Sequence, residues 1–427
     1  MWYNNGMNKM IVFDSGLRLV VYENPAVRSI ATGVFVGAGS AYENPELSGI
    51  SHFIEHMVFK GTENRSAFDI AHEIDSVGAQ INAYTSKTGT CFYTVSQDVR
   101  AEKCLDVLSD MYFNPLFSRE DMDKERKVVL EELSESEDSP DDLCLERLSS
   151  AFFRGHPLEN TILGTKKTLK AMTPADLHAY KNAFYVPSNT VVSMVGHIEV
   201  AHAEELVCRY FEDRMKSGVS NPRTPLAVAP MKGHFVHRKK DIEQAHMAFA
   251  FPGVAYDTDE NFAVRLLAAV FGMEMSSRLF QNVREKLGLC YSIVGYPSSY
   301  ENNGSFIIYT STNPQNVELA VDAIRKEIEK LVDDGITDAE LNMGKEQIKT
   351  AMVLGQESTS AVMRCVGKHA LMTDKLYDVD EQIARVDALT KEDVEAVARK
   401  IFDFDRVTAS FVGNEIEDIQ KMMKNRE

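Results

Sequence analysis

The sequence predicts an α+β fold built twice in one chain, and three observations carry that prediction. Strand-like and helix-like stretches come in separate clusters, not in the strict alternation of a doubly wound sheet. The stretch 214–232, with Gly218, Pro222, Pro225 and Pro230 and few periodic apolar residues, interrupts the pattern midway along 427 residues. The plan then repeats at a fixed offset. Ala171-Met172-Thr173 with Asp176-Leu177 is answered by Ala388-Leu389-Thr390 with Asp393-Val394, and Ser193-Met194-Val195-Gly196 by Ser410-Phe411-Val412-Gly413, both 217 residues further on. Two matches at one spacing predict duplicated domains of about 210 residues. Each is expected to be a mostly antiparallel sheet packed with helices, at 1–213 and 233–427, with 214–232 as the linker.

Taken in order, Met10–Phe13 and Leu17–Tyr22, joined at Asp14-Ser15-Gly16, read as a hairpin, and Ile30–Val36 as a third strand. A helix follows, capped by Asn44 with Pro45 in its first turn and stopped by Gly61. Ala67–Ser76 reads as an amphipathic helix, and Gln80–Thr85 and Cys91–Gln97 alternate as strands. Helices are expected at Ala101–Phe113, Arg119–Ser134 and Asp141–Phe152. The stretch Arg154–Thr165, with Gly155, Pro157 and Gly164, is a loop. Pro174–Phe184 is helical, Thr190–Gly196 a strand, and Val200–Glu212 helical.

Composition is that of a globular protein, 44% hydrophobic and 26% charged, with no apolar run of membrane-spanning length. A net charge of −18 argues against nucleic acid and anionic membranes, which select basic surfaces; it is compatible with cationic peptides, and solubility explains it as well. The six cysteines (Cys91, Cys104, Cys144, Cys208, Cys290 and Cys365) form no CxxC pair and fit a reducing compartment. The start resembles neither a signal peptide nor a transit sequence, and Met7 or Met10 serves equally well as the first residue. A cytoplasmic location is expected.

The chemistry gathers in His52-Phe53-Ile54-Glu55-His56. On a helix, His52 and His56 fall one turn apart on one face with Glu55 beside them, an arrangement suited to a metal ion and its water. Ile50, Phe53, Ile54, Met57, Val58 and Phe59 make the helix apolar on nearly all sides, so its three ionisable groups need partners. The plain alternative is a pair of core histidines bonded to backbone, with Glu55 emerging at an edge. A third ligand is sought on Arg119–Ser134, where Met122, Val129 and Leu133 form a stripe that Glu125 and Glu132 share. Glu132 is the candidate ligand and Glu125 the support for a bound imidazole. From position alone a solvated acidic face explains them as well, because Glu131, Glu135, Glu137, Asp138, Asp141 and Asp142 continue the same run. The second half lacks such a site: the position answering His52 is Ala269, and no histidine lies between His246 and His369.

HxxEH followed 76 residues later by Glu132 resembles the inverted zinc motif of the pitrilysin-type (M16) metallopeptidases, the family of insulin-degrading enzyme and mitochondrial processing peptidase. The resemblance extends to His56-Met57-Val58-Phe59-Lys60-Gly61-Thr62, Glu125-Arg126-Lys127-Val128-Val129-Leu130-Glu131-Glu132, Ser276-Ser277-Arg278-Leu279-Phe280 and Arg284–Ser292, and so spans nearly the whole chain. It implies zinc held by His52, His56 and Glu132, with Glu55 as general base for the attacking water and Glu125 as the second carboxylate that steadies the site. It also implies that Asn82-Ala83-Tyr84-Thr85 is an edge strand pairing with substrate backbone, and that Arg284 and Tyr291 serve the reacting carbonyl. Asp142 and Glu146 resemble the acidic positions that face substrate arginines in the processing-peptidase branch. By the same resemblance the chain is one half of a clamshell that encloses unfolded peptides. It would work as a homodimer or as a heterodimer with a related subunit. Gly272 is the single glycine in Val270–Glu274, so the glycine-rich loop of non-catalytic processing-peptidase subunits is missing. The expected function is that of a zinc metalloendopeptidase, and the alternative a non-catalytic subunit that binds peptides or scaffolds a complex.

Overall fold

The computed structural model describes residues 3–5, 8–216, 218–414, 416 and 418–424, so two of the possible starting methionines, Met1 and Met7, lie outside the described residues. Among the described residues twelve strands form two sheets. The first contains β1 (Tyr3–Asn5), β2 (Asn8–Val12), β3 (Arg18–Glu23), β4 (Ser29–Val36), β5 (Gln80–Thr85), β6 (Thr90–Gln97) and β7 (Thr190–Gly196). Its order is β1-β2-β3-β7-β4-β6-β5. The second contains β8 (Phe235–Lys239), β9 (Ala245–Pro252), β10 (Cys290–Ser299), β11 (Gly304–Thr312) and β12 (Thr408–Gly413), in the order β10-β11-β9-β12-β8.

Helices in the first half are α1 (Ile50–Met57), α2 (Ala67–Ser76), α3 (Ala101–Phe113), α4 (Arg119–Asp138), α5 (Pro140–Phe152), α6 (Lys166–Ala171), α7 (Pro174–Phe184) and α8 (Val200–Tyr210). Those in the second are α9 (Asp259–Ala268), α10 (Val317–Asp334), α11 (Asp338–Gly355), α12 (Thr359–Thr373), α13 (Val379–Ala388), α14 (Lys391–Ile401) and α15 (Ile419–Lys424). Among the described residues no helix is long and apolar enough to cross a membrane.

The duplication is visible in the sheets. Strands β3-β7-β4-β6-β5 answer β8-β12-β9-β11-β10, and in each set one pair is parallel (β3 with β7, β8 with β12) while the rest are antiparallel. The helices repeat too: Thr173 and Asp176 form a capping box on α7, and Thr390 and Asp393 form the same box on α14.

The two compact units differ from a single cut of the chain near 213–233. One comprises 1–133, 160–224 and 354–378; the other comprises 134–159, 225–353 and 379–427. The reason is an exchange of equivalent helices. From the first half, α5 packs on β8, β9 and β12 through Cys144, Leu148, Ala151 and Phe152. From the second half, α12 packs on β3, β4 and β7 through Val362, Met363, Val366 and Ala370. With its own helices on one face and the exchanged helix on the other, β7 is buried at all seven positions. That explains its unbroken apolar run. The seat of α12 is close: a Cβ on Gly33 would stand 2.3 Å from the Met363 sulfur, and one on Gly367 2.1 Å from the Phe35 ring. The buried Arg18 guanidinium completes the seat by bonding the Ala370 carbonyl (3.1 Å) and pairing with Asp374.

Some boundaries differ from expectation. Asn44 caps a separate 3-10 turn, Pro45–Leu47, and not the motif helix. The chain then turns at Gly49 (φ +94°) and α1 begins at Ile50. Its N-terminus is closed by Glu43, whose buried carboxylate accepts the N–H groups of Gly49 (2.7 Å) and Ser51 (2.8 Å). Gly61 (φ +123°) ends the segment, as expected. Helix α4 runs on to Asp138, and α6 was not foreseen.

Removing the Glu43 carboxylate leaves two buried N–H groups without an acceptor, so Glu43→Ala is expected to cost about 1–3 kcal/mol. Burial raises the Glu43 pKa from 4.5 to about 7, against the opposing pull of the two backbone bonds. A group raised on folding stabilises most below its unfolded pKa. The stability gap between wild type and variant should therefore be widest below about pH 4.5 and narrow as the pH rises through about 7. Urea unfolding at pH 5 and pH 8 measures it; a gap that widens with pH contradicts this account.

Candidate metal centre

Three elements of the first compact unit build the site. Helix α1 carries His52, Glu55 and His56 on the one side that its burial leaves open; Ser51, Phe53, Ile54 and Met57 are buried around it. Helix α4 brings Glu125 and Glu132, seven residues and two turns apart, to the same place. The edge strand β5 supplies Thr85.

The ligand atoms converge. The Nε2 atoms of His52 and His56 stand 3.3 Å apart. Glu132 Oε2 lies 3.3 Å from His56 Nε2 and 3.8 Å from His52 Nε2. Donors placed about 2.0–2.1 Å from one tetrahedral ion are separated by about 3.3 Å. The three spacings fit such an ion, and two imidazoles with one carboxylate are a donor set that suits zinc. Among the described residues this is the single group of three or more His, Cys, Asp or Glu side chains with that convergence.

Electrostatics favour the same reading. Burial, helped by the neighbouring His56, pushes the His52 pKa down from 6.5 to about 4, so its ring is neutral near pH 7. Glu125, almost fully buried, accepts from His56 Nδ1 at 2.9 Å and pairs with Lys60 Nζ at 2.7 Å. That bond places the His56 proton on Nδ1 and aims the Nε2 lone pair into the cluster. With His52 in the same tautomer, electron pairs from two rings and a carboxylate face one another at about 3.3–3.8 Å, an arrangement that a cation between them relieves. Lys60 was not singled out from sequence. Its position four residues after His56, on the same helical side, is the signal that could have found it.

Glu55 stands apart from the three converging atoms and accepts from Thr85 Oγ1 at 2.6 Å. Thr85 Oγ1 lies 3.4 Å from the Thr90 hydroxyl, which donates to the Ala38 carbonyl at 2.7 Å. Burial raises the Glu55 pKa; the Thr85 bond and His56 draw it down, and Glu132 raises it further. Thr85 thus holds Glu55, a task that the reading of Asn82–Thr85 as a substrate strand did not include.

The other expected residues fall as follows. Asn82, Ala83, Tyr84 and Thr85 lie on β5, which closes the order of its sheet and pairs only with β6, so its outer edge is open among the described residues. Arg284, Tyr291, Asp142 and Glu146 belong to the second compact unit. Arg284 lies in a π-helical turn, Phe280–Lys286, with its guanidinium 4.3 Å from the Phe280 ring centre and 5.6 Å from that of Tyr291. Tyr291 is 80% exposed. Asp142 and Glu146 lie one turn apart on α5, the first exposed and the second half-buried.

Comparison with known proteins agrees with the family resemblance. Residues 18–166 match the family model described as Insulinase (Peptidase family M16), and residues 171–348 the one described as Peptidase M16 inactive domain. A Bacillus subtilis protein named uncharacterized zinc protease YmxG is 39% identical over 403 residues, covering 94% of this chain and 98% of its own length. An uncharacterized zinc protease of Streptomyces coelicolor is 35% identical, over 93% of this chain and 87% of its own. Among solved structures, a protease from Helicobacter pylori has the same fold, with TM-score 0.89 at 23% identity over 95% of this chain and 99% of the other.

If the three donors hold one ion, equilibrium dialysis should give one zinc per chain, and Glu132→Ala should abolish tight uptake. Glu125→Gln should weaken it about 10–100-fold, the range for losing the partner of a ligating imidazole. Unaltered zinc affinity in both variants would remove the assignment.

Proposed function

The chain belongs to the M16 peptidase family, and from that premise we propose that it is a zinc-dependent endopeptidase that cleaves unfolded peptides. The convergence of His52, His56 and Glu132 beside Glu55 carries the proposal. A scaffold could retain a metal, but it would have no use for a half-buried carboxylate held beside the candidate ligands by a threonine.

A bound zinc ion would act as a Lewis acid, making a water molecule acidic near neutral pH and polarising a carbonyl oxygen. The protein residues have the remaining tasks. Glu55 takes the proton of the attacking water at the carboxylate oxygen that Thr85 does not hold, then passes it to the leaving amine. A raised pKa makes a carboxylate a stronger base, and the Thr85 bond opposes the rise that burial causes. Lys60 and Glu125 keep His56 in one tautomer.

The open edge of β5 receives a peptide in extended form through main-chain bonds, which requires unfolded substrate and makes binding tolerant of sequence. Arg284 and Tyr291, cationic and hydrogen-donating groups held together, serve the developing oxyanion. Asp142 and Glu146 favour basic residues in the substrate. The working form is a homodimer, because one chain carries both the Glu55 machinery and the Arg284–Tyr291 pair; a related subunit is the alternative partner.

Purified protein should cut a mixed pool of unstructured peptides, lose that activity on chelation and regain it with zinc. Glu55→Gln should bind zinc normally and cut at a rate reduced at least about 10²–10⁴-fold, the usual contribution of a general base. Zinc binding with no turnover in the wild type would favour the non-catalytic subunit. A second test reads the acid limb of kcat/KM. Activity falls as Glu55 gains a proton, and Thr85→Val deletes a bond that lowers its pKa, so the limb should move to higher pH in the variant. An unmoved limb would mean that another group controls it.

A further inference from the structure

The side of β5 away from α1 carries a cation that the reaction above does not use. Side chains alternate along the strand. Thr85 bonds Glu55 on the α1 side, where Ala83 and Ile81 pack against the core that includes α1. Asn82 and Tyr84 are therefore turned to the other side, and there Tyr84 packs with Tyr93 of β6 against the cluster that includes Val362, Met363 and Val366 of α12.

Arg364 of α12 is half-buried in this layer. Its guanidinium lies 5.8 Å from the centre of the Tyr93 ring, which in turn stands 6.5 Å from the Tyr84 ring. Its one hydrogen bond runs to Ser360 Oγ at 2.7 Å, and no carboxylate pairs with it among the described residues. A sheltered guanidinium without an acidic partner is unusual. Nor is a carboxylate near in sequence: α12 has no Asp or Glu in 15 residues, in a chain of net charge −18. The charge reaches the edge of the sheet. Burial pushes the Tyr84 hydroxyl and the Cys91 thiol up, and Arg364 draws both back. The cation is also held in place, because Gly33, Gly367 and the Arg18–Asp374 pair seat α12 on the sheet.

We propose that Asn82, Tyr84, Tyr93 and Arg364 form a subsite for an acidic side chain, Asp or Glu, of a peptide lying along β5. The proposal rests on the reading that peptides pair with this edge. An added strand lies about 4.8 Å beyond β5 and turns every second side chain to the α12 side. A carboxylate there meets a guanidinium preorganised over an aromatic floor, and a lysine at the same position is repelled.

The test uses full-length, zinc-loaded Glu55→Gln protein. Labelled unstructured peptides of one length carry Glu, Ala or Lys at one position in turn, and fluorescence anisotropy reports binding. At one register Glu should bind about tenfold more tightly than Lys, the effect of one favourable against one unfavourable charge contact. Adding Arg364→Gln should bring the ratio near one, Arg364→Glu should reverse it, and Arg364→Lys should keep the preference for Glu. A Glu-to-Lys ratio unchanged in Arg364→Gln and Arg364→Glu, with circular dichroism matching the parent protein, overturns the subsite. An Arg364-dependent ratio in a protein whose Glu55-containing form cuts none of the peptides overturns the peptidase reading and leaves the subsite standing. No binding of any peptide overturns both.

Discussion

Ionisable groups inside a folded protein are costly unless paired, and that constraint organises most of the first compact unit. Helix α1 is enclosed by the core except along the side that bears His52, Glu55 and His56. Other elements answer most of that side: Glu125 of α4 accepts from His56 and is itself paired with Lys60 after α1, Glu132 of α4 faces both imidazoles, and Thr85 of β5 holds Glu55, while His52 Nδ1 has no hydrogen-bond partner. At the other end of the helix, Glu43 satisfies the N–H groups that burial would leave bare. The geometry of the candidate metal centre follows from these contacts.

Rigidity around the site has a second source in the exchange of α5 and α12. A sheet with helices on one face only would leave its other face wet, and alternating polar residues would be expected there. The first sheet is instead covered on both sides, so β4 and β7 are almost wholly buried and β5 is held at the rim of a firm layer. The exchanged helix does more than cover apolar surface. It brings Arg364 beside the strand that the motif helix flanks on its opposite side, so one edge has the candidate metal ligands on one side and a cation on the other.

The two copies of the fold have diverged in what they carry. Strand order, parallel pair and capping boxes are shared. The chemistry is not: where α1 places His52, the second copy has Ala269 in a π-helical turn, and its distinctive groups are Arg284 and Tyr291 further along. Duplication preserved the positions that pack a sheet and left the side chains at its rim free to change.

Most of the element plan was legible in the sequence because it is set by local rules. Ala67–Ser76, Ala101–Phe113, Pro174–Phe184 and Thr190–Gly196 are read to the residue from periodicity, caps and prolines. The HxxEH spacing and the 217-residue offset likewise need nothing beyond the chain itself. What only tertiary structure decided depends on groups far apart in sequence. Asn44 looks like the better cap, yet Glu43 closes α1, because its position after burial cannot be read from helix-start preferences. Glu132 could equally have been part of a solvated acidic run until α4 was set against α1. Thr85, Lys60 and Arg364 gain their partners, or lack one, only when β5, α1 and α12 come together. The exchange of α5 and α12 is hidden for the same reason: their apolar stripes say that each is buried, but a stripe does not say against which sheet.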